Sequence, residues 1–160
     1  MFSFILTRCG APGGPRFFAS RKLLAAAPLL AGLLCIRPAA AQPPLPTVTL
    51  HVGGHEIQVE HAATPETLRE GLMRRTGLAD DAGMLFELGE PDIHCFWMKD
   101  TLIPLSIAFI GPDGRIVDIQ DMRPQSLDPH CPPTPVTRAL EMNLGWFARA
   151  GVRAGDRVTR

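Results

Sequence analysis

Apolar and polar residues alternate with a period of two from position 48. Val48, Leu50 and Val52 are separated by polar residues, Gly53-Gly54 follows, and Ile57 and Val59 resume the alternation. Two alternating runs joined by a two-glycine turn predict a β-hairpin. With Val52 paired to His55, Leu50 faces Ile57 and Val48 faces Val59, so the apolar side chains share one face. The same register sets His51 opposite Glu56 and Thr49 opposite Gln58 on a wet face.

The pattern then changes. Thr64-Pro65-Glu66 offers a capping hydroxyl, a proline for the first turn and an acid near the positive helix end, which predicts a helix reaching position 73 or 74. After Gly77, residues 84–88 and 95–98 read as strands. Residues 105–110 are apolar on both alternating faces, as in an interior strand. Gly111-Pro112-Asp113-Gly114 turns them into a strand over 115–121, and this pair is expected at the centre of the sheet. Five prolines in 124–135 make that stretch a surface loop, because proline donates nothing to a ladder. A strand over 136–143, a helical turn through Trp146-Phe147 ending at Gly151, and a last strand near 157–159 complete the reading. The predicted class is mainly β: a compact sandwich or barrel-like domain of short antiparallel strands with one or two short helices.

The amino end follows a different logic. Arg21-Lys22 precede an apolar run over 23–36 and the small residues Ala39-Ala40-Ala41, the order of a cleavable signal peptide. The run carries Pro28 and Gly32 and is too short to span a bilayer. Leu34 before Cys35 does not suit a lipoprotein, and Ser20-Arg21-Lys22 only approximates a twin-arginine signal. The expected organisation is a signal peptide over 1–41, a proline-rich lead-in over 42–46 and one domain over 47–160, in an exported protein that is periplasmic or secreted. The first twenty residues are long for a leader, so translation starting downstream of Met1 is a second reading. Five basic residues leave with the leader and no acidic ones do, so eleven basic face sixteen acidic residues and the remainder carries −5. Without a cluster of Lys and Arg, nucleic acid is not an expected partner.

Only Cys95 and Cys131 survive cleavage, and an even count in an exported chain points to one disulfide. Each follows a histidine, His94 and His130, so a two-Cys, two-His zinc site is the rival reading. Adjacent residues on a strand leave opposite faces, which argues against that grip. His55-Glu56 with His61 fails as a metalloprotease motif on spacing and on strand context. Ser106 and Ser126 are the only serines after the leader, and no nucleophile elbow, phosphate loop or dinucleotide fingerprint is present. Met73, Met84, Met98, Met122 and Met142 raise copper handling, since thioethers select Cu(I). Without a tightly spaced pair they read more simply as core filler, and no cofactor is expected.

Gly71-Leu72-Met73-Arg74-Arg75, Gly83-Met84-Leu85-Phe86 and the run from Phe96-Trp97-Met98-Lys99-Asp100-Thr101 to Leu105 resemble the family named Domain of Unknown Function 192. Asp113-Gly114-Arg115-Ile116-Val117, Ala139-Leu140-Glu141-Met142-Asn143 and the stretch 151–156 resemble its closing blocks, in order. The resemblance covers nearly all of the chain after the leader. It implies a β-sandwich or barrel-like domain, commonly exported in bacteria, with no established activity. Asp100 stands where the family often has asparagine, and Ser106 where it often has aspartate.

Polar residues embedded in these apolar blocks, Arg75, Trp97, Lys99, Thr101 and Glu141, form the expected pocket of a non-catalytic binding or accessory domain. Its partner would be a small molecule or an envelope protein. Glu141 shares its strand face with Thr137, Ala139 and Asn143, neighbours that leave room. The competing structural reading pairs Arg75 or Lys99 with Glu141 to hold the sheet. An enzymatic alternative is a hydrolase-like envelope enzyme using Glu141 or Asp100 beside Lys99.

Overall fold

The hairpin forms in the register its side chains dictate. In the computed structural model, which describes residues 45–160, β1 (Thr47–Val52) and β2 (His55–Ala62) pair antiparallel with Val52 opposite His55, Leu50 opposite Ile57 and Val48 opposite Val59. The signal peptide read at 1–41 and most of the lead-in lie outside the described residues. Helix α1 (Pro65–Glu70) starts at Thr64, whose hydroxyl accepts from the Thr67 N–H while the Thr67 hydroxyl accepts from the Thr64 N–H. It ends three or four residues earlier than its apolar spacing suggests. Gly71 takes φ 49°, and a Cβ there would stand 3.1 Å from the Phe86 ring, so glycine both stops the helix and seats its end on the sheet.

The remaining elements are β3 (Gly83–Asp92), β4 (Leu105–Ile110), β5 (Ile116–Met122), β6 (Val136–Asn143), α2 (Trp146–Arg149) and β7 (Val158–Thr159). They form one seven-stranded sheet in the order β5-β4-β6-β3-β2-β1-β7. Four expectations are corrected here. The β4–β5 pair stands at one end of the order, not at its centre, and β2 runs parallel to β3, with α1 in the crossover between them. Residues 95–98 form no strand. Phe96 makes a single bridge with His130, and the partner segment, with Pro129, Pro132 and Pro133, lacks the N–H groups to extend it. β3 also runs past Leu88, because Gly89 and Pro91 sit in an irregular stretch between Glu87 and Asp92 instead of ending the strand.

The two ends of the order meet. Ile116 N–H donates to the Asp156 carbonyl at 2.9 Å, Gly155 N–H to the Ile116 carbonyl at 2.8 Å and Val158 N–H to the Gly114 carbonyl at 2.8 Å. The sheet therefore curls into a half-barrel, the barrel-like architecture its many short strands predict. Curling divides the apolar residues into two layers. The inner layer draws on all seven strands, among them Leu50, Ile57, Leu85, Ala108, Ile116, Leu140 and Val158, and is plugged by Trp146 and Phe147 of α2. The outer layer lies on β3, β4, β5 and β6 through Met84, Phe86, Leu105, Ile107, Phe109, Met122 and Ala139. Its cover comes from α1 and its following turn (Leu68, Leu72) and from loop residues Phe96, Met98 and Ile103. β4 is buried along its whole length because one face lies in each layer.

Candidate functional site

The outer layer has a roof made of loops, and hydrogen bonds and one covalent link hold it. Residues 93–104 cross above β3 and β6. Phe96 exchanges backbone hydrogen bonds with His130 (2.8 and 2.7 Å), Met98 N–H donates to the Ser126 carbonyl at 3.0 Å, and Gln125 N–H donates to the Thr101 carbonyl at 3.0 Å. On the other side, Arg74 N–H donates to the Asp100 carbonyl at 2.8 Å. Cys95 and Cys131 are joined as a disulfide with their Cα atoms 4.2 Å apart, so the proline-rich loop is bolted to the roof. Gln120 on β5 fixes that loop from below, donating to the Cys131 carbonyl at 2.9 Å and meeting His130 Nδ1 at 3.1 Å.

Beneath the roof lies a cavity of about 350 Å³, bounded by Leu68 and Leu72, by Phe86 and Leu88 of β3, by Ile93, Cys95, Phe96 and Trp97 of the roof, and by Thr101 and Glu141. Its size falls at the lower end of the range for small-molecule sites. Glu141 points into it from β6. Its cross-strand neighbours are Met84 on β3 and Ile107 on β4, both apolar, and the residue is only 5 % exposed. Burial alone pushes its carboxyl up to about 8, with no neighbouring charge or hydrogen bond contributing. No buried side-chain polar atom among the described residues is left sealed without a partner, so the oxygens of this unpaired carboxyl keep their access, and the cavity supplies it.

The five pocket residues expected from sequence divide. Trp97, Thr101 and Glu141 line the cavity; Arg75 and Lys99 do not. Arg75 is turned away into an ion pair with Glu60 at 2.7 Å, and Lys99 stacks its ammonium 5.6 Å from the centre of the Trp97 ring. Neither cation reaches Glu141, so the structural reading in which one of them neutralises it does not describe this fold. Thr101 is buried and donates to the Lys99 carbonyl at 3.4 Å. Sequence reasoning missed Leu68, Phe86, Ile93, His94 and Phe96 as lining residues. Leu68 with Leu72 is a legible i, i+4 pair, and Phe96 with Met98 points inward by alternation, but the tertiary fold alone places these pairs around one space.

The two departures from the family pattern are explained locally. Asp100 has φ 56°, a left-handed position that asparagine and aspartate tolerate better than other side chains, so residue 100 shapes the roof turn. Ser106 donates to the carboxylate of Asp121, its cross-strand partner, and accepts from the Gly145 N–H at 2.8 Å. The methionines are split: Met84, Met98 and Met122 pack in the outer layer and Met142 in the inner one. Among the described residues no group of three His, Cys, Asp or Glu is placed to hold a metal ion. No helix among them is long and apolar enough to cross a membrane.

A model of the DUF192 family, described as an uncharacterized ACR, matches residues 48–160. The chain belongs to the DUF192 family. Two solved structures are similar to it. One, a candidate transcription regulator of Sinorhizobium meliloti 1021, is 35 % identical with a TM-score of 0.71, over 74 % of this chain and 97 % of that one. The other, a protein of unknown function from Novosphingobium aromaticivorans DSM 12444, is 36 % identical with a TM-score of 0.70, over 76 % and 94 % of the two chains. No curated protein matches at a significant level. In this DUF192 member, four of the blocks that carry the resemblance, around Gly71, Phe86, Trp97 and Glu141, each contribute a wall of the cavity.

Proposed function

We propose that this protein is an exported, non-catalytic binding or accessory domain of the cell envelope, and that it takes a small ligand into the cavity above Glu141. The observation that carries this reading is the unpaired carboxyl itself. A carboxyl 5 % exposed among apolar side chains opposes folding, and the domain gains nothing from it in internal contacts. A group kept at such a position is accounted for by a partner that arrives from outside. Export is supported by the leader pattern and by a disulfide, a bond that persists in oxidising compartments.

The enzymatic alternative has one observation in its favour, the elevated carboxyl, which suits a general acid. The side chains that would have assisted it, Lys99 and Asp100, do not line the cavity.

Glu141→Leu tests the binding reading. Replacing an unpaired buried carboxyl by a hydrocarbon of similar size is expected to raise the melting temperature while abolishing retention of any ligand seen by native mass spectrometry of the purified protein. A clear drop in melting temperature would mean that Glu141 is a structural member of the sheet, and the reading would be abandoned.

A further inference from the structure

We infer that the ligand is an uncharged, mainly apolar small molecule whose amide or ester carbonyl accepts a hydrogen bond from the Glu141 carboxyl. This inference rests on the binding reading above and adds the chemical class. The cavity that Glu141 lines also has hydrocarbon and aromatic members, Leu68, Leu72, Phe86 and Phe96, beside polar ones that are already engaged or lie at the surface. Thr101, the other buried polar side chain at the cavity, already donates to the Lys99 carbonyl, which leaves Glu141 as the deep polar anchor. A site of about 350 Å³ with one such anchor selects a body of roughly a dozen heavy atoms with one polar head.

The head could in principle be a cation, but the surroundings disfavour it. The cation Arg69 lines the cavity, and the ring of Trp97 already carries a cation, the Lys99 ammonium 5.6 Å from its centre. The cross-strand neighbours of Glu141, Met84 and Ile107, carry no charge, and the other titratable groups lining the cavity are Glu70 and His94. Glu70 is engaged by Arg74, and His94 Nε2 lies 3.3 Å from the Glu90 carbonyl. A buried ammonium would have to be desolvated together with a carboxylate, whereas a carboxyl that keeps its proton donates at once to a carbonyl.

Three probes on one scaffold separate the cases: 3-phenylpropanamide, 3-phenylpropylamine and 3-phenylpropanoate, titrated into the protein and followed by NMR at Leu72 and Thr101. The amide is expected to bind at pH 7 at least tenfold more tightly than the amine, and about tenfold more weakly at pH 9 as the carboxyl ionises. Glu141→Gln, whose side chain donates and accepts without titrating, should erase that pH dependence, and a dependence that survives unchanged would overturn the assignment of Glu141 as the donor. Glu141→Leu should erase the binding. Tighter binding of the amine, with proton release and loss in Glu141→Gln, would overturn the neutral-ligand inference and leave the binding reading standing. Tighter binding of the carboxylate would do the same through Arg69. If none of the three perturbs the cavity resonances, the binding reading falls with the inference.

Discussion

The two sides of the curled sheet are covered in different ways. The inner layer is closed by the sheet itself and by the aromatic plug of α2, and Ser106, buried on the same face of β4 as Ala108 and Ile110, has its hydroxyl bonded to Asp121 and to the Gly145 N–H. The outer layer is closed by one short helix and loops, and its cavity holds the buried, unpaired carboxyl of Glu141. A sheet face sealed by its own curl has no separable cover, so it can only stabilise. A face roofed by loops has a cover that can be pinned or loosened without undoing the ladders, and ligand sites collect in such places. On the binding reading proposed above, one side of β3, β4 and β6 serves stability and the other recognition, with Leu140 and Glu141 adjacent in sequence and facing opposite ways.

The largest effect expected from this contrast concerns the disulfide. Cys95→Ser with Cys131→Ser opens a link across 36 positions, worth about 3 to 4 kcal/mol on the chain-entropy model. The loss should be concentrated in the roof: hydrogen exchange should speed up most at the Phe96, Met98 and His130 amides and least in the β4–β6 ladder. Equal acceleration in both places would show that the layers open as one unit, and the contrast would fail.

A smaller effect follows from the proton on Glu141. The carboxyl titrates at about 8 in the folded protein against an ordinary 4.5, so between those values the native state holds more protons than the unfolded chain. Stability from this group therefore falls as pH rises from about 4.5 to about 8, by roughly 3 kcal/mol at pH 7. Urea denaturation at a series of pH values should show this slope in the natural protein and a shallower one in Glu141→Gln. Identical slopes would place the carboxyl in a wetter or paired setting.

The smallest effect belongs to the outside of the roof. Lys99→Ala removes a cation stacked on Trp97, a ring that is itself 54 % exposed, and is expected to cost about 0.5 kcal/mol in chemical denaturation. A loss several times larger would mean that Lys99 helps to hold the roof down.

Much of this was readable from residue order. The hairpin register, the capped start of α1, the bounds of β4 and β6, and the pairing of the two cysteines follow from local rules: alternation, turn chemistry, hydroxyl capping and an even thiol count. What local rules could not supply was where loops go. The strand read at 95–98 is missing because its partner is a proline loop, a fact of tertiary pairing. Glu141 was legible as a polar residue in an apolar strand; that Arg75 would choose Glu60 instead of it was not, since the choice depends on β2 lying parallel to β3. The stop of α1 at Gly71 depends likewise on a ring from β3 that no neighbour in sequence announces.

The meeting of the first strand with the last has a kinetic meaning. β7 contributes two residues, Val158 and Thr159, paired with Val52 and His51 from the other end of the domain's sequence, and the same segment completes the curl through its bonds to Gly114 and Ile116. Closing so long a loop carries an entropic toll that a two-residue strand repays only once its docking surface exists. The hairpin and the β3–β6 ladder must therefore assemble first and β7 latch last. In a chain delivered gradually from its amino end, the curl gains its latch only once residues 155–159 have arrived.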